Sequence, residues 1–401
     1  MPMATGQYLP RHVDQALARA LESSPIVILD GPRAVGKTTT ASRVAATSVL
    51  LPRDLPTLMV DPEAFLRALA PPVLVDEWQL VGTDLLWTIK GIVDADPMPG
   101  RFLLVGSVEP ASYGPTYPLT GRAARLVMRP MTKAELAGRG GEPTFVERVL
   151  AQDHPPLGRS SEADFELEAL ARPGFPGARD LPDAQLFLDA YATIVAQRAG
   201  DEGRDASRLL RSLRVLATLT GQTVPDQRIW EAADITKVTW KNYDDLLSRV
   251  HLSAGVAAYE SNRLKRLTSY PKRFLADTAM ALVLSNLRIE DLRADPTLAG
   301  RFLESYVVQQ LRPQADLVHR GLMHVRTGAG EHEVDALLET PSGVLAFEVK
   351  LGTRPSAAEA KQLDWLRDGL GGRFGHGYVV YTGRDCYSLS ERVTALPVGL
   401  L

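Results

Sequence analysis

At 401 residues the chain exceeds one ordinary domain core and is long enough for two or three. Its 45 lysines and arginines against 48 aspartates and glutamates leave a net charge of −3, which excludes a globally basic polyanion-coating protein and confines any nucleic-acid surface to a local patch. The one cysteine, Cys386, excludes an internal disulfide, and no apolar stretch approaches the ~18 residues of a membrane span, so a soluble cytoplasmic protein is the expectation.

The first predicted strand is the apolar run Ile26-Val27-Ile28-Leu29, and Gly31-Pro32-Arg33-Ala34-Val35-Gly36-Lys37-Thr38 follows it directly, ahead of a predicted helix. A buried strand that ends in G-x-x-x-x-G-K-T and then opens a helix is a phosphate loop. Its glycines allow the tight turn, and its free N–H groups converge on an anion. Lys37 is expected to reach the β- and γ-phosphates of ATP, and the Thr38 hydroxyl to ligate Mg2+. Val73-Leu74-Val75 predicts a second strand, ending in Asp76-Glu77. Asp76 is expected to hold Mg2+ through water, and Glu77 to orient and deprotonate the attacking water. A third strand, Phe102-Leu103-Leu104-Val105, ends in Gly106-Ser107, which sets Ser107 near the γ-phosphate or the lytic water. Gly121-Arg122-Ala123-Ala124-Arg125 reads as a loop. Arg122 or Arg125 is either an arginine finger for a neighbouring subunit's site or a surface charge.

The run Leu119-Thr120-Gly121-Arg122-Ala123-Ala124-Arg125-Leu126, with Arg129-Pro130-Met131 and Glu135-Leu136, resembles AAA-type ATPases that carry a C-terminal domain of unknown function, DUF4143. Their phosphate loop, Gly-Pro-Arg-x-x-Gly-Lys-Thr-Thr, is matched through Thr39, and their Asp-Glu and Gly-Ser strand ends fall on Asp76-Glu77 and Gly106-Ser107. The similarity runs over nearly the whole chain and is strongest in residues 8–136 and 265–350. It implies ATP and Mg2+ as cofactors, residues 31–39 and Asp76 around the nucleotide, and assembly into a homo-oligomer.

The α/β pattern ends near Pro130, and residues 138–179 turn loop-like. Asp183 to Ala199 then predicts a helix with Phe187, Tyr191 and Ile194 on one stripe, placed as a lid or connector that completes an ATPase domain over 1–200. Residues 205–275 predict three helices (Ser207–Thr220, Asp226–Ala233, Thr236–Val250, the last capped by Asp234 or Thr236) and a β-wing from Leu252 to Arg266. This is the pattern of a winged helix-turn-helix. Between 236 and 275 eight basic residues (Lys237, Lys241, Arg249, Arg263, Lys265, Arg266, Lys272, Arg273) face three acids (Asp244, Asp245, Glu260), a local excess fit for DNA or RNA phosphates. A protein–protein joint is the alternative.

The last domain, over 295–401, predicts a β-hairpin: Glu331 to Glu339 and Val344 to Lys350 each alternate in part around the turn Thr340-Pro341-Ser342-Gly343. That turn sets Glu339 against Val344, Asp335 against Glu348 and Glu333 against Lys350. Two carboxylates facing across a strand pair repel unless a cation lies between them, and Lys350 shares the face of Glu348. Asp…Glu-x-Lys on a hairpin resembles the PD-(D/E)XK nuclease core. The resemblance implies a restriction-endonuclease-like α/β domain, a Mg2+ or Mn2+ site at Asp335 and Glu348, a further carboxylate from Glu304 on a preceding helix, catalysis by Lys350 and a polar contact from Gln362. The bland alternative is a solvated sheet edge with a Glu–Lys pair. Taken together, the chain reads as an α/β P-loop ATPase of AAA type, a winged helix and a nuclease-like domain. ATP turnover would license action on nucleic acid; the alternative is a non-cleaving ATP-dependent switch that binds DNA or a partner.

Overall fold

The computed structural model describes residues 8–51, 53–106, 118–160, 165–179, 181–201, 205–259, 270–327 and 330–401. The chain divides into two compact units, Met1–Glu142 with Arg249–His251, and Pro143–Ser248 with Leu252–Leu401.

The first unit is built on five parallel strands, β1 (Ile26–Asp30), β2 (Thr47–Leu50), β3 (Val73–Asp76), β4 (Phe102–Val105) and β5 (Ala123–Val127), in the order β2-β3-β4-β1-β5. β1 and β4 are buried along their whole length, which is why they read as continuous apolar runs rather than as alternating ones. Ile26, Val75 and Leu104 share a core with Leu86, Ile89 and Val93 of the helix Thr83–Ala95, whose spacing lays one apolar stripe on the sheet. Each such side chain contributes roughly 1.5–3 kcal/mol on full burial. The strand order reverses beside β1, so the crevice at the carboxyl end of β1 is where a ligand binds in such a sheet.

Of residues 121–125, Gly121 and Arg122 lie in a turn as expected, but Ala123, Ala124 and Arg125 do not. Ala123 to Val127 form the edge strand β5, with Arg125 opposite Ile28, because small Ala123 and Ala124 lead into Leu126 and Val127 against β1.

The second unit holds a mixed nine-stranded sheet. Its strands are β6 (Gly158–Arg159), β7 (Ser253–Ala258), β8 (Lys272–Leu275), β9 (Leu322–Arg326), β10 (Glu333–Thr340), β11 (Gly343–Lys350), β12 (Phe374–Tyr381), β13 (Asp385–Ser390) and β14 (Val393–Pro397), in the order β6-β13-β14-β12-β11-β10-β9-β7-β8. The β10–β11 hairpin has the register expected from its turn, from Thr340 paired to Gly343 through Glu339 to Val344 as far as Ala336 to Phe347, and Asp335, next along β10, accepts the Val349 N–H of β11. The hairpin is no solvated edge. β11 lies between β10 and β12, the helices Pro296–Leu317 and Lys361–Leu370 pack on it, and Glu348 is 4% exposed.

The helices Ala206–Thr218, Asp226–Ala232 and Lys237–Arg249 lead into β7. Asp205 caps the first by accepting the Arg208 N–H, and the Thr236 hydroxyl accepts the Thr239 N–H at the start of the third. β7 pairs antiparallel with β8 and parallel with β9, which joins this segment to the large sheet. Residues 260–269 of the expected wing, with Arg263, Lys265 and Arg266, lie outside the described residues. The helix Ala184–Asp201, expected to close the ATPase unit, packs instead within the second unit on the helices Ala206–Thr218 and Thr278–Leu284. Its aromatic stripe is the cause: Tyr191 meets Phe175 at 5.0 Å between ring centroids, while Ile194 stays 52% exposed.

Candidate active site

The phosphate loop leaves β1 through two glycines that require their freedom. Gly31 has φ +144°, where a Cβ would lie 2.1 Å from the Met128 carbonyl oxygen, and Gly36 has φ +97°. Ala34 between them is also left-handed, at φ +59°. Val35 turns its side chain into the core, whereas Thr38 and Thr39 in the first helical turn are exposed. Lys37 is buried and donates from Nζ to the carbonyls of Gly31 at 2.8 Å and Pro32 at 2.7 Å, so the ammonium is held inside the loop that phosphates would enter.

Thr38 Oγ1 donates to Asp76 Oδ2 at 2.9 Å, joining the ends of β1 and β3. A hydroxyl and a carboxylate in contact are an oxygen donor set that fits Mg2+ held with its waters. Burial, with the neighbouring charge of Glu77, raises the Asp76 carboxyl above its usual range against the Thr38 bond. Glu77 sits at φ +56°, a strained conformation for a non-glycine residue that aims its carboxylate off the strand end. It accepts a hydrogen bond from Gln79 Nε2 and lies 3.9 Å from Arg33 Nη2. The structure thus brings Lys37, Thr38, Asp76, Glu77 and Arg33 together; Ser107 lies outside the described residues.

The arginines divide. Arg125 pairs with Asp30, whose other oxygen accepts the Gly31 N–H at 2.8 Å, so Arg125 stands at the root of its own phosphate loop. Arg122 precedes β5 at the opposite end of the sheet and pairs with Asp94.

Lys37 carries a pH dependence. Burial, against the pull of Asp30 and Glu77, pushes its ammonium down to about 8. Bound phosphates favour the charged form, so the bound value lies above the free one and binding takes up a proton as pH rises past about 8. ATP affinity is expected to fall up to tenfold per pH unit between that value and the bound one. Calorimetry in buffers of different ionisation enthalpy measures the uptake; no uptake at pH 8.5 contradicts it.

Arg11 and Glu135 are the residues that sequence reasoning missed. Arg11 donates from Nη1 to the Val35 carbonyl inside the phosphate loop at 2.7 Å, from Nη2 to the Arg129 carbonyl at 2.7 Å, and from Nε to Glu135 at 3.0 Å. Both side chains are 4% exposed. The available signal was Thr132-x-x-Glu135, a capping-box pattern that the structure realises.

In the second unit the acids gather around a different cation from the one expected. Lys272 Nζ lies 2.8 Å from Glu304 Oε1, 2.7 Å from Glu333 Oε1 and 3.1 Å from Asp335 Oδ1, with its side chain 1% exposed. Asp335 Oδ2 accepts the Val349 N–H at 2.8 Å, and Lys350 donates to Glu348 Oε1 at 2.6 Å. Burial and the nearby Asp335 push Glu348 up to about 8 and raise Glu304 well above the carboxylate range. Gln362 bonds His332 Nδ1 at 2.9 Å, apart from the acids. Among the described residues no group of three or more His, Cys, Asp or Glu is disposed to hold a metal ion, so the residues as placed do not fit the expected Mg2+ or Mn2+. Lys272 and Arg273 also leave the expected basic footprint, since Arg273 is buried and paired with Asp226 at 2.8 Å and Asp244 at 3.1 Å.

Comparison with known proteins finds three matches along the chain: an AAA domain over residues 23–137, a domain of unknown function, DUF8612, over 168–291, and DUF4143 over 299–401. The uncharacterized proteins Rv2008c of Mycobacterium tuberculosis and Mb2031c of Mycobacterium bovis are each 28% identical over 395 residues, which is 95% of this chain and 82% of theirs. The Walker-type ATPase PABY2304 of Pyrococcus abyssi is 16% identical with a TM-score of 0.42, over 69% of this chain and 99% of that one. The chain therefore carries an N-terminal AAA-type P-loop ATPase domain and a separate C-terminal DUF4143 domain. No helix among the described residues is long and apolar enough to cross a membrane.

Proposed function

We propose that this ATPase is a nucleic-acid-binding switch that does not cut: ATP–Mg2+ turnover in the first unit changes the affinity of a winged helix and a nuclease-like domain in the second. The observation that carries the ATP half is the Thr38–Asp76 contact with Glu77 beside it. Bound Mg2+ would neutralise developing phosphate charge there. Lys37 binds the β- and γ-phosphates, Thr38 and Asp76 orient the ion, and Glu77 takes the proton of the attacking water. In an assembly of copies, Arg122 is the arginine for a neighbour's site, since it lies at the sheet end away from its own loop.

The binding half rests on element order. Helix Ala206–Thr218, a bridge from Thr223 to Lys272, helices Asp226–Ala232 and Lys237–Arg249, then the antiparallel pair β7–β8 follow the sequence of a winged helix-turn-helix. Lys237 and Lys241, one turn apart on its third helix, are exposed. Non-cleavage is favoured over cleavage because the carboxylates that a nuclease would give to metal are spent on Lys272.

Fluorescence anisotropy with a short DNA duplex tests this. Affinity is expected to differ at least fivefold between the nucleotide-free protein and ATP-loaded Glu77→Gln, a coupling on the order of 1 kcal/mol. Lys237→Ala and Lys241→Ala should each weaken binding and lower the slope of log K against log salt by about 1. Binding that ignores both nucleotide and salt rules the switch out, and Mg2+-dependent DNA cleavage rules out the non-cleaving form.

A further inference from the structure

We infer that Lys272 is a permanent, protein-supplied cation in the place that a divalent ion would take in the C-terminal domain, so that the domain folds and works there without metal and gains a metal site when Lys272 is removed. The inference rests on reading that domain as nuclease-like.

An ammonium offers three N–H donors and no acceptor. Lys272 Nζ meets three carboxylate oxygens, one each from Glu304, Glu333 and Asp335, at 2.7–3.1 Å. The contacts to Glu304 and Asp335 are hydrogen bonds, and Glu333 adds an ion pair at 2.7 Å. Those separations are hydrogen-bond lengths, whereas a small divalent ion draws its oxygens in to about 2.0–2.2 Å. Both Asp335 oxygens are engaged, because its Oδ2 accepts the Val349 N–H. With a side chain 1% exposed, Lys272 has almost no water to share its charge, and a buried ion persists only where such partners are fixed.

The neighbouring carboxylate gives an independent indication. Glu348 is 4% exposed, its Oε1 accepts from Lys350, and its Oε2 has no hydrogen-bond partner among the described residues. A buried carboxylate oxygen left bare beside Asp335 is what remains when the cation of such a cluster sits to one side, on Glu304 and Glu333, instead of between Asp335 and Glu348. The origin of the cation matters too. Lys272 lies on β8, in the segment matched as DUF8612, while all its partners belong to the segment matched as DUF4143. One buried side chain thus does two things: it neutralises the acids and ties β8 to the helix Pro296–Leu317 and to β10.

The test is a Mn2+ titration of the nucleotide-free full chain, followed by calorimetry and by thermal melting. The parent should show no saturable heat that Asp335→Asn abolishes, and a Tm indifferent to Mn2+. Lys272→Met should melt lower, and Mn2+ should raise its Tm saturably; adding Asp335→Asn should erase the rise. If Lys272→Met does not fold alone, folding restored by Mn2+ supports the inference. Lys272→Met with Glu304→Gln removes one cation and one carboxylate together, leaves Glu333, Asp335 and Glu348 for the ion, and should show the same Mn2+ response. Saturable, Asp335-dependent Mn2+ binding by the parent overturns the inference. So does a lack of Mn2+ response in both lysine variants, folded or not. Neither result touches the non-cleaving reading, which a DNA digest of the parent with Mg2+ decides separately.

Discussion

Glu77→Gln is expected to bind ATP as tightly as the parent and to turn it over slower by a factor on the order of a hundred to ten thousand, the usual worth of a positioned general base. The amide keeps the shape, the left-handed backbone and the hydrogen-bonding reach toward Gln79, but it cannot accept the proton of the attacking water. Lys37→Ala should fail earlier. It removes the ammonium now held on the Gly31 and Pro32 carbonyls, the cation proposed for the β- and γ-phosphates, so tight ATP binding itself should disappear. Thr38→Ala should fall between these, keeping nucleotide but losing its dependence on Mg2+. Nucleotide binding by calorimetry and phosphate release under saturating ATP separate the three. Parental turnover in Glu77→Gln would remove that residue from the role of base and leave Asp76 as the candidate.

The parts of this site that lie in contiguous sequence were legible, and the parts assembled from a distance were not. Strand, glycine turn and Lys37-Thr38 announce themselves because the backbone geometry of a phosphate loop demands those residues in that order. The hairpin register from Thr340–Gly343 to Ala336–Phe347 was legible for a similar reason: a tight turn fixes it, and period-two alternation does the rest. Lys272 was misread as surface charge. Nothing local distinguishes a lysine bound for water from one that closes a strand over Glu304, Glu333 and Asp335, up to 63 residues away. Arg125 failed in another way, whereas Arg122 does lie in the turn before β5. Two arginines among small residues look like a loop, yet β5 is the edge strand of its sheet, where a strand may keep one side polar.

The second large expected effect falls on Arg11, whose side chain bonds Glu135, Val35 and Arg129 and neither Asp76 nor Glu77. Arg11→Ala should destabilise the first unit by about 3–5 kcal/mol, the cost of leaving one member of a buried ion pair alone. Glu135 would be left without its cation at 4% exposure, and the Val35 and Arg129 carbonyls would lose their donor. A loss of that size could be purely structural, so a second variant separates stability from the shape of the phosphate loop. Arg11→Met combined with Glu135→Leu removes both charges and fills the space with apolar side chains, a change that is often neutral for a buried pair. Its melting temperature should return only part of the way to the parent value, because Glu135 also accepts the His12 and Thr132 N–H groups, which Leu leaves without that acceptor. ATP affinity should not return with it, because no donor then fixes the Val35 carbonyl, two residues before Lys37, and the loop no longer meets the nucleotide preorganised. Arg11→Lys keeps the charge without the forked donors that serve Val35, Arg129 and Glu135 at once, and should lie between the two in both measurements. A double variant that regains stability and full ATP affinity together would confine Arg11 to the fold; regained stability with weakened binding makes it the residue that holds the phosphate loop in shape.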